Sequence, residues 1–588
     1  MSGVEQQLAS LSPEQRELLA LLLEREGIGA PPLSSTQQRL LATTQLAHGT
    51  SVGNVPFGFR VSGPLRVPLL LQCLQEIGRR HEVLRTTFQE ADGRAVPVVA
   101  PALAVNVPIV DLRALPLPER DAEALRLVSA EAQRPLDVAS GPLLRGLVVR
   151  LADEEWMLEL VTHHLVSDGW GIRLLLQELG ALYRSALGGT PAPLPELRVQ
   201  YADYARSERR WLDGAELSAQ LAYWRAHLRG LRASELPLDR PRPPRTSWTS
   251  ATARLELSPE LSDGLRRLSR EEGVTLYTVL LAAFQTLLQR YSLESDVVVG
   301  TTISRRHRTE WEALIGNFGN NLLLRADFSG EPTFHDVLQR VRDDVLGAFA
   351  HPDMPLETLI AAAPTDADSG PVPPFQVMFI LRDTTLVQNL DLGGLVLRPI
   401  SIGAGATALD LTLDITDGAA ALTGSLEYKV ELFDAATIAR MVAAYGDLLE
   451  RIVANPRRPI SQLPVLRATG CTQSDPAHVS SQPEAVGTGP LPQTASEIRI
   501  AALWRQALGI AAVSVHDNFF DLGGHSLLGT TVIDRIERAT GCRLTLVDLG
   551  LQNLGQLAQR CDQHTSHTNA ASVTRRLLRM VRGAAGRE

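Results

Sequence analysis

Apolar positions along this chain switch repeatedly between strand-like runs and a helical period. The clearest case is Leu143 to Leu151, followed by the acidic Asp153-Glu154-Glu155 and then by Trp156 to Val161. Two β-rich runs around a short polar turn predict a hairpin. Beyond it, Ile172, Leu175, Leu179, Leu182 and Ala186 recur at helical spacing until Gly188-Gly189 stops them. Residues 163–169 therefore fall on a strand-to-helix turn, where a side chain is both exposed and held by rigid elements. Alternating strands and helices continue through two halves of the chain, which predicts α/β layers.

The two ends and a stretch near residue 480 break this pattern. Leu8, Leu11, Leu18, Leu19, Leu22 and Leu23 stand among glutamates, with Ser12-Pro13-Glu14 as a helix start. From Leu466 to Pro492 apolar periodicity vanishes and Ala, Thr, Gly, Ser, Gln and Pro dominate, as in a flexible tether. Thr494-Ala495-Ser496-Glu497 then offers a capping box for a helix through Ile498, Leu503, Trp504 and Leu508. After Cys561 a polar stretch precedes Arg575, Arg576, Leu577, Leu578, Arg579 and Arg582, a short basic amphipathic segment. It reads either as a dock for an acidic partner or as a solubilising end.

A length of 588 residues exceeds what one core serves, so two or three folding units are expected. The net charge of −9 argues against general nucleic-acid binding. Four scattered cysteines fit neither a disulfide framework nor a zinc site, and a reducing cytosol is the natural compartment. No apolar run approaches a membrane span and the N-terminus has no basic region followed by an apolar core, so the expected location is the cytoplasm.

The candidate chemistry lies on the turn. His163-His164-Leu165-Val166-Ser167-Asp168-Gly169 has a chance expectation well below roughly one per cent in a chain of this length. Alternation along a strand turns adjacent histidines to opposite faces, so one imidazole can enter a cavity while the other packs. A second string, Asp517-Asn518-Phe519-Phe520-Asp521-Leu522-Gly523-Gly524-His525-Ser526-Leu527, places a serine after two glycines at the start of a helix carrying Leu528, Val532 and Ile536. A phosphodiester on Ser526 would meet free amide donors and the positive end of the helix dipole. The plainer alternative is that Ser526 only caps the helix.

These strings resemble the condensation and peptidyl carrier domains of nonribosomal peptide synthetases. Pro32 to Leu40, Arg80 to Phe88, Tyr201 to Ala205, Ile315 to Asn321, His351 to Pro355 and Pro374 to Phe379 are similar to six further condensation motifs, in order. The resemblance implies two chloramphenicol acetyltransferase-like lobes forming a V-shaped pseudo-dimer around a channel, followed by a four-helix carrier bundle. It divides the chain into a helical connector (1–28), lobes at 29–205 and 206–465, a linker (466–493), the carrier (494–562) and a basic tail (563–588). The connector is expected either to dock a partner or to pack on its own domain. With Met1 as the start, no carrier is expected upstream on the same chain.

The resemblance implies that His164 faces the channel, as general base or as a positioning group, while His163 packs. Asp168 is implied to be structural, paired with Arg306 or alternatively Arg308, and Gly169 to give clearance for a pantetheine arm. Trp170, Asn320 and Asn321 are expected to line the channel. Ser526 is expected to carry 4′-phosphopantetheine, attached by a phosphopantetheinyl transferase. No space remains between the domains for an adenylation domain, so loading by an adenylating enzyme in trans is expected, with the donor arriving on another carrier protein. Asp168-Gly169-Trp170-Gly171 differs from the epimerisation pattern, and the paired histidines differ from the aspartates of heterocyclisation domains. Gly319-Asn320-Asn321 departs from the usual Val-Asn-Thr, which leaves subtype open. An amide-forming acyltransferase is the expected activity, with ester formation or a non-catalytic recruiting platform as alternatives.

Overall fold

The protein is described by a computed structural model. It covers residues 31–563 apart from 92–93, 190–191, 193, 213, 215, 232–235, 244–246, 363–375, 384–391, 464–489, 520–521, 523–525, 543, 545–547 and 550–551. The expected connector, nearly all of the linker and the basic tail lie outside the described residues.

The first lobe begins with α1 (Ser35–Leu46), whose N-cap Ser34 forms a capping box with Gln37. Its strands are β1 (Asn54–Ser62), the hairpin β2 (Thr86–Ala91) and β3 (Arg94–Val99), β4 (Ile109–Asp111), β5 (Leu144–Arg150) and β6 (Glu155–His163). The hairpin expected around Asp153 is β5–β6, with Leu144 opposite Thr162, and β1 pairs with the other edge of β6. Helix α2 (Gly169–Gly188) follows the motif and ends at Gly189, whose φ of 68° explains why a glycine stops it. Helix α3 (Tyr201–Leu212) leads into the second lobe.

The second half of the chain contains β7 (Ser250–Glu256), α4 (Leu276–Ser292), β8 (Asp296–Ser304), β9 (Gly319–Asp327), α5 (Leu356–Ala362), β10 (Val377–Asp383), β11 (Val396–Ile400), β12 (Leu411–Asp417), β13 (Leu422–Lys429) and α6 (Ala435–Ala454). Six of these strands form one sheet in the order β7-β13-β12-β10-β8-β9. Its core is built by α4, buried on nearly every side chain from Thr278 to Leu288, and by α6 through Ile438, Met441, Tyr445 and Leu449.

A division at 205/206 does not capture the lobes. Strand β11 leaves the second half and pairs with β1, completing the first sheet as β11-β1-β6-β5-β4. Trp311, Leu314, Ile315 and Phe318 likewise bury themselves in the first lobe's core with Tyr201 and Tyr204. The alternation that predicts a strand at 396–400 cannot tell which sheet edge it joins. The third unit packs α7 (Ala495–Leu508) against α8 (Ser526–Thr540) and a helical stretch at 554–563, around Trp504, Phe519, Val532, Ile536 and Leu557. The expected capping box is present, with Thr494 and Glu497 bonded reciprocally.

Between the lobes lies a buried ion pair. Glu208 of α3 meets Arg305 at 2.5 Å and also accepts the backbone N–H (2.8 Å) and hydroxyl (2.6 Å) of Ser35. Both side chains are under 5 % exposed. A guanidinium left unpaired at such a site is strongly destabilising. Glu208→Gln is therefore expected to cost about 3 kcal/mol or more, read as a lowered midpoint in chemical denaturation, whereas the exposed Glu90→Gln should leave the midpoint unchanged.

Candidate active site

The motif turn is fixed by four of the other sequence motifs. Asn317 Nδ2 donates to the His164 carbonyl (2.8 Å), and Gln37 Nε2 to the Leu165 carbonyl (3.1 Å). Tyr201 donates to the Asn317 carbonyl (2.6 Å), leaving its oxygen to accept from Ser34 (2.9 Å). Arg80 and His81 both bond Glu178 of α2, at 3.0 and 3.1 Å, so the second motif anchors the motif helix.

His163 is buried. Its Nδ1 accepts the Leu165 N–H at 3.1 Å, which makes Nε2 the protonated nitrogen. A side chain on Gly53, whose φ is +91°, would collide with this ring, so the glycine is required there. Burial first, and then the neighbouring His164, hold the His163 pKa down to about 3, so the ring is neutral at physiological pH.

His164 is half-buried. Its Nδ1 lies 3.3 Å from the Ser167 carbonyl, so Nδ1–H donates there and Nε2 keeps a free lone pair. Burial lowers its pKa, Arg382 and Arg39 push the same way, and Ser167 and Asp168 oppose them.

Asp168 does not touch His164. It caps α2 by accepting the Gly171 N–H at 2.7 Å, accepts the Phe318 N–H at 3.0 Å, and takes Arg306 through both guanidinium ends at 2.7 and 3.1 Å. Arg306 is 4 % exposed, whereas Arg308 pairs with Glu310 at the surface, so the structure places Arg306 on Asp168. A Cβ on Gly169 would meet only Arg382 Nη1, at 3.9 Å, and otherwise open space.

Two residues expected in the channel have other work. Trp170 donates its indole N–H to the Glu312 carbonyl (2.8 Å) and stacks under Arg173, 3.7 Å from the ring centre. Asn320 is buried, and its amide donates to the Pro352 and Met354 carbonyls, both at 2.8 Å. A buried amide must satisfy its donors, and these carbonyls outcompete a wet cleft. Asn321, one residue on and turned to the opposite face, accepts from Thr302 at 3.0 Å. Sequence reasoning missed Arg382 and its partner Asp414, and the 3.0 Å pair Arg39–Glu357 between α1 and α5. The only sequence signal for Arg382 is its even spacing from Met378 on a strand.

Ser526 is the first residue of the fifteen-residue α8, whose first turn carries no acidic side chain. The amides and dipole at a helix start favour a phosphodiester, and no first-turn carboxylate would oppose it, so the position fits 4′-phosphopantetheine. Helix α8 lies against α1 and α5, the helices joined by Arg39–Glu357.

Two α/β lobes bonded together around a turn-borne histidine, with a serine at the start of a helix in a small separate helical unit, are the architecture of a carrier-dependent acyltransferase. The condensation domain profile matches residues 28–471 and the phosphopantetheine attachment site profile residues 499–561, so the chain belongs to the condensation-domain family of nonribosomal peptide synthetases and carries a carrier domain. Among its relatives, phosphinothricin tripeptide synthetase PhsC of Streptomyces viridochromogenes is 38% identical over 485 residues, covering 79% of this chain and 44% of that protein. Chondramide synthase cmdD of Chondromyces crocatus is 36% identical over 436 residues, covering 74% and 11%. The chain thus spans less than half the length of these relatives. The X-domain from teicoplanin biosynthesis superposes with a TM-score of 0.66 at 27% identity, over 74% of this chain and 98% of that one. The first condensation domain of the calcium-dependent antibiotic synthetase shares the fold, with a TM-score of 0.63 at 20% identity over 74% and 99%.

The histidine pair sets an acid limit on stability. The folded pKa of His163 lies below its unfolded value near 6.5, so the unfolded chain takes up the proton first and stability is lost as pH falls from about 6.5 towards 3. Glu159, held up to about 8 by burial, acts in the opposite sense, losing stability as pH rises from 4.5 to 8. Comparing wild type with His163→Gln isolates the first effect: the difference in melting temperature between the two should shrink steadily from pH 7 to pH 4.

Proposed function

We propose that this protein forms an amide bond between a donor acyl thioester, delivered on a partner carrier, and an amine held as a thioester on its own Ser526. The observation that carries this reading is the state of half-buried His164, whose Nδ1 is tied to the Ser167 carbonyl, which leaves the Nε2 lone pair available. When attached to Ser526, the phosphopantetheine arm supplies a terminal thiol that holds acyl groups in reactive form. The protein's residues do the rest. His164 Nε2 orients the attacking amine, takes its proton as the C–N bond forms and returns it to the departing donor thiolate as the thioester C–S bond breaks. Asp168 and Arg306 keep the turn rigid, and Gly169 leaves the arm room to pass.

An α-amino group titrates near 7.7 to 8.0, so a useful fraction is already neutral near pH 7. The lowered pKa of His164 keeps the imidazole unprotonated there as well. The acid limb of kcat/KM is therefore expected to follow the amine, with any imidazole step below pH 6.5.

Partners follow from this chemistry: a phosphopantetheinyl transferase to modify Ser526, an adenylating enzyme to load it in trans, and a donor carrier protein. The cytoplasm, where such partners meet, is the proposed location. None of the described helices is long and apolar enough to cross a membrane. Recruitment without catalysis is the second reading, favoured by likeness to the X-domain, of which another solved structure is a complex with OxyB.

Incubation with a phosphopantetheinyl transferase and coenzyme A should add one arm to the intact mass, and Ser526→Ala should abolish the gain. With a donor carrier and an aminoacyl-loaded Ser526, His164→Ala should lower product formation by about 100-fold or more. Undiminished product from His164→Ala supports the recruiting platform, and preference for a hydroxyl acceptor supports ester formation.

A further inference from the structure

Strand β10 alternates between the core and a less buried face. Val377 and Phe379 are buried in the second lobe's core, so Ile380 and Arg382 lie on its opposite, less buried face. The parallel register with β12 sets Ile380 opposite Asp414, which puts Asp414 diagonally beside Arg382 on that face. Arg382 Nε lies 2.9 and 2.7 Å from the two Asp414 oxygens and Nη2 lies at 2.6 Å. Two of the three guanidinium nitrogens are thus clamped, and the planar group fixes where the third points.

That third nitrogen, Nη1, is the nearest atom to the side-chain position Gly169 leaves empty, 3.9 Å from where a Cβ would stand. The Arg382 side chain is about half exposed. A gap therefore opens between the start of α2 in one lobe and a pre-oriented donor in the other. Arg382 is also close enough for its charge to act on His164.

We propose that Arg382 is a substrate-positioning residue of this cleft, whose Nη1 donates to a neutral carbonyl oxygen of the tethered substrate as it passes Gly169. The proposal rests on the condensation reading. The Asp414 carboxylate compensates the guanidinium, and Glu427, which burial first and Asp414 after it keep towards its neutral form, lies on the next strand. Arg39 is the other cation acting on His164, and its partner is Glu357. A compensated arginine offers direction more than net charge, which suits an amide or thioester carbonyl over a carboxylate. Asp414 acts through Arg382 by holding its plane.

The test uses the full chain and acetylglycyl-N-acetylcysteamine thioester, a small neutral probe with carbonyls like those of a tethered acyl group. Diethyl pyrocarbonate acylates unprotonated imidazole, and peptide mass analysis assigns its reaction at His164. In wild type the probe should slow this modification in a saturable way, with half-protection needing about tenfold more probe in Arg382→Gln and Asp414→Asn, the loss of one charge-assisted hydrogen bond. Arg382→Lys should fall between. Without probe, Arg382→Gln should move the pH midpoint of His164 modification upward by roughly half a unit, since a cation is removed. Equal protection in wild type and Arg382→Gln, no protection in wild type, or an unmoved midpoint would each overturn the proposal. Neither readout needs turnover, so failure of condensation itself would count against the proposed activity alone.

Discussion

Four hydrogen bonds to one carboxylate organise this site. Asp168 receives the Gly171 N–H, the Phe318 N–H and both ends of Arg306. The first bond starts α2 where the motif strand ends. The others pull in residues 306–318, which the chain reaches only after leaving the first lobe. A carboxylate so largely enclosed is tolerable only because every direction carries a donor. This also removes Asp168 from acid–base chemistry at His164, since its lone pairs are already engaged.

Around that charge the polar contacts are shared among elements far apart in sequence. Thr36 donates to the Gly319 carbonyl at 2.7 Å, and Arg305 reaches Ser35 and Thr36 at 3.2 and 3.3 Å. The N-terminus of α1 is therefore bonded to the second lobe although its helix belongs to the first. Strand β11 does the reverse through its pairing with β1. Tyr201, Tyr204, Trp311 and Phe318 fill the space between with edge and tilted contacts at ring separations of 4.4 to 6.4 Å. A turn braced in this way can hold one imidazole tautomer, and holding one tautomer is what leaves Nε2 free.

Local patterns are legible in the sequence and non-local ones are not. The β5–β6 hairpin, the stop of α2 at Gly189 and the cap at Thr494 are set by a few adjacent residues, and period and capping reasoning finds such features. The differing burial of His163, the last residue of β6, and His164, the first of the turn, is in keeping with strand alternation. What an exposed-looking polar residue does is not legible. Asn320 is expected to face the channel, yet the His351–Met354 turn, more than thirty residues on, supplies the carbonyls that claim its amide. The Arg382–Asp414 pair depends on a parallel register between strands thirty-odd residues apart, which neither residue's neighbours encode.

The same distinction explains why the two histidines differ so sharply in chemistry. Both sit in one dipeptide, and burial lowers the pKa of each. His163 accepts a backbone N–H with Nδ1, and the position of Gly53 closes space around Nε2, so neither nitrogen is offered to the cleft. His164 donates from Nδ1 instead, which leaves Nε2 with its lone pair available. Function at this turn is therefore decided by which backbone group each Nδ1 meets. Those groups, the Leu165 N–H and the Ser167 carbonyl, are positioned by the same turn that Asp168 holds closed.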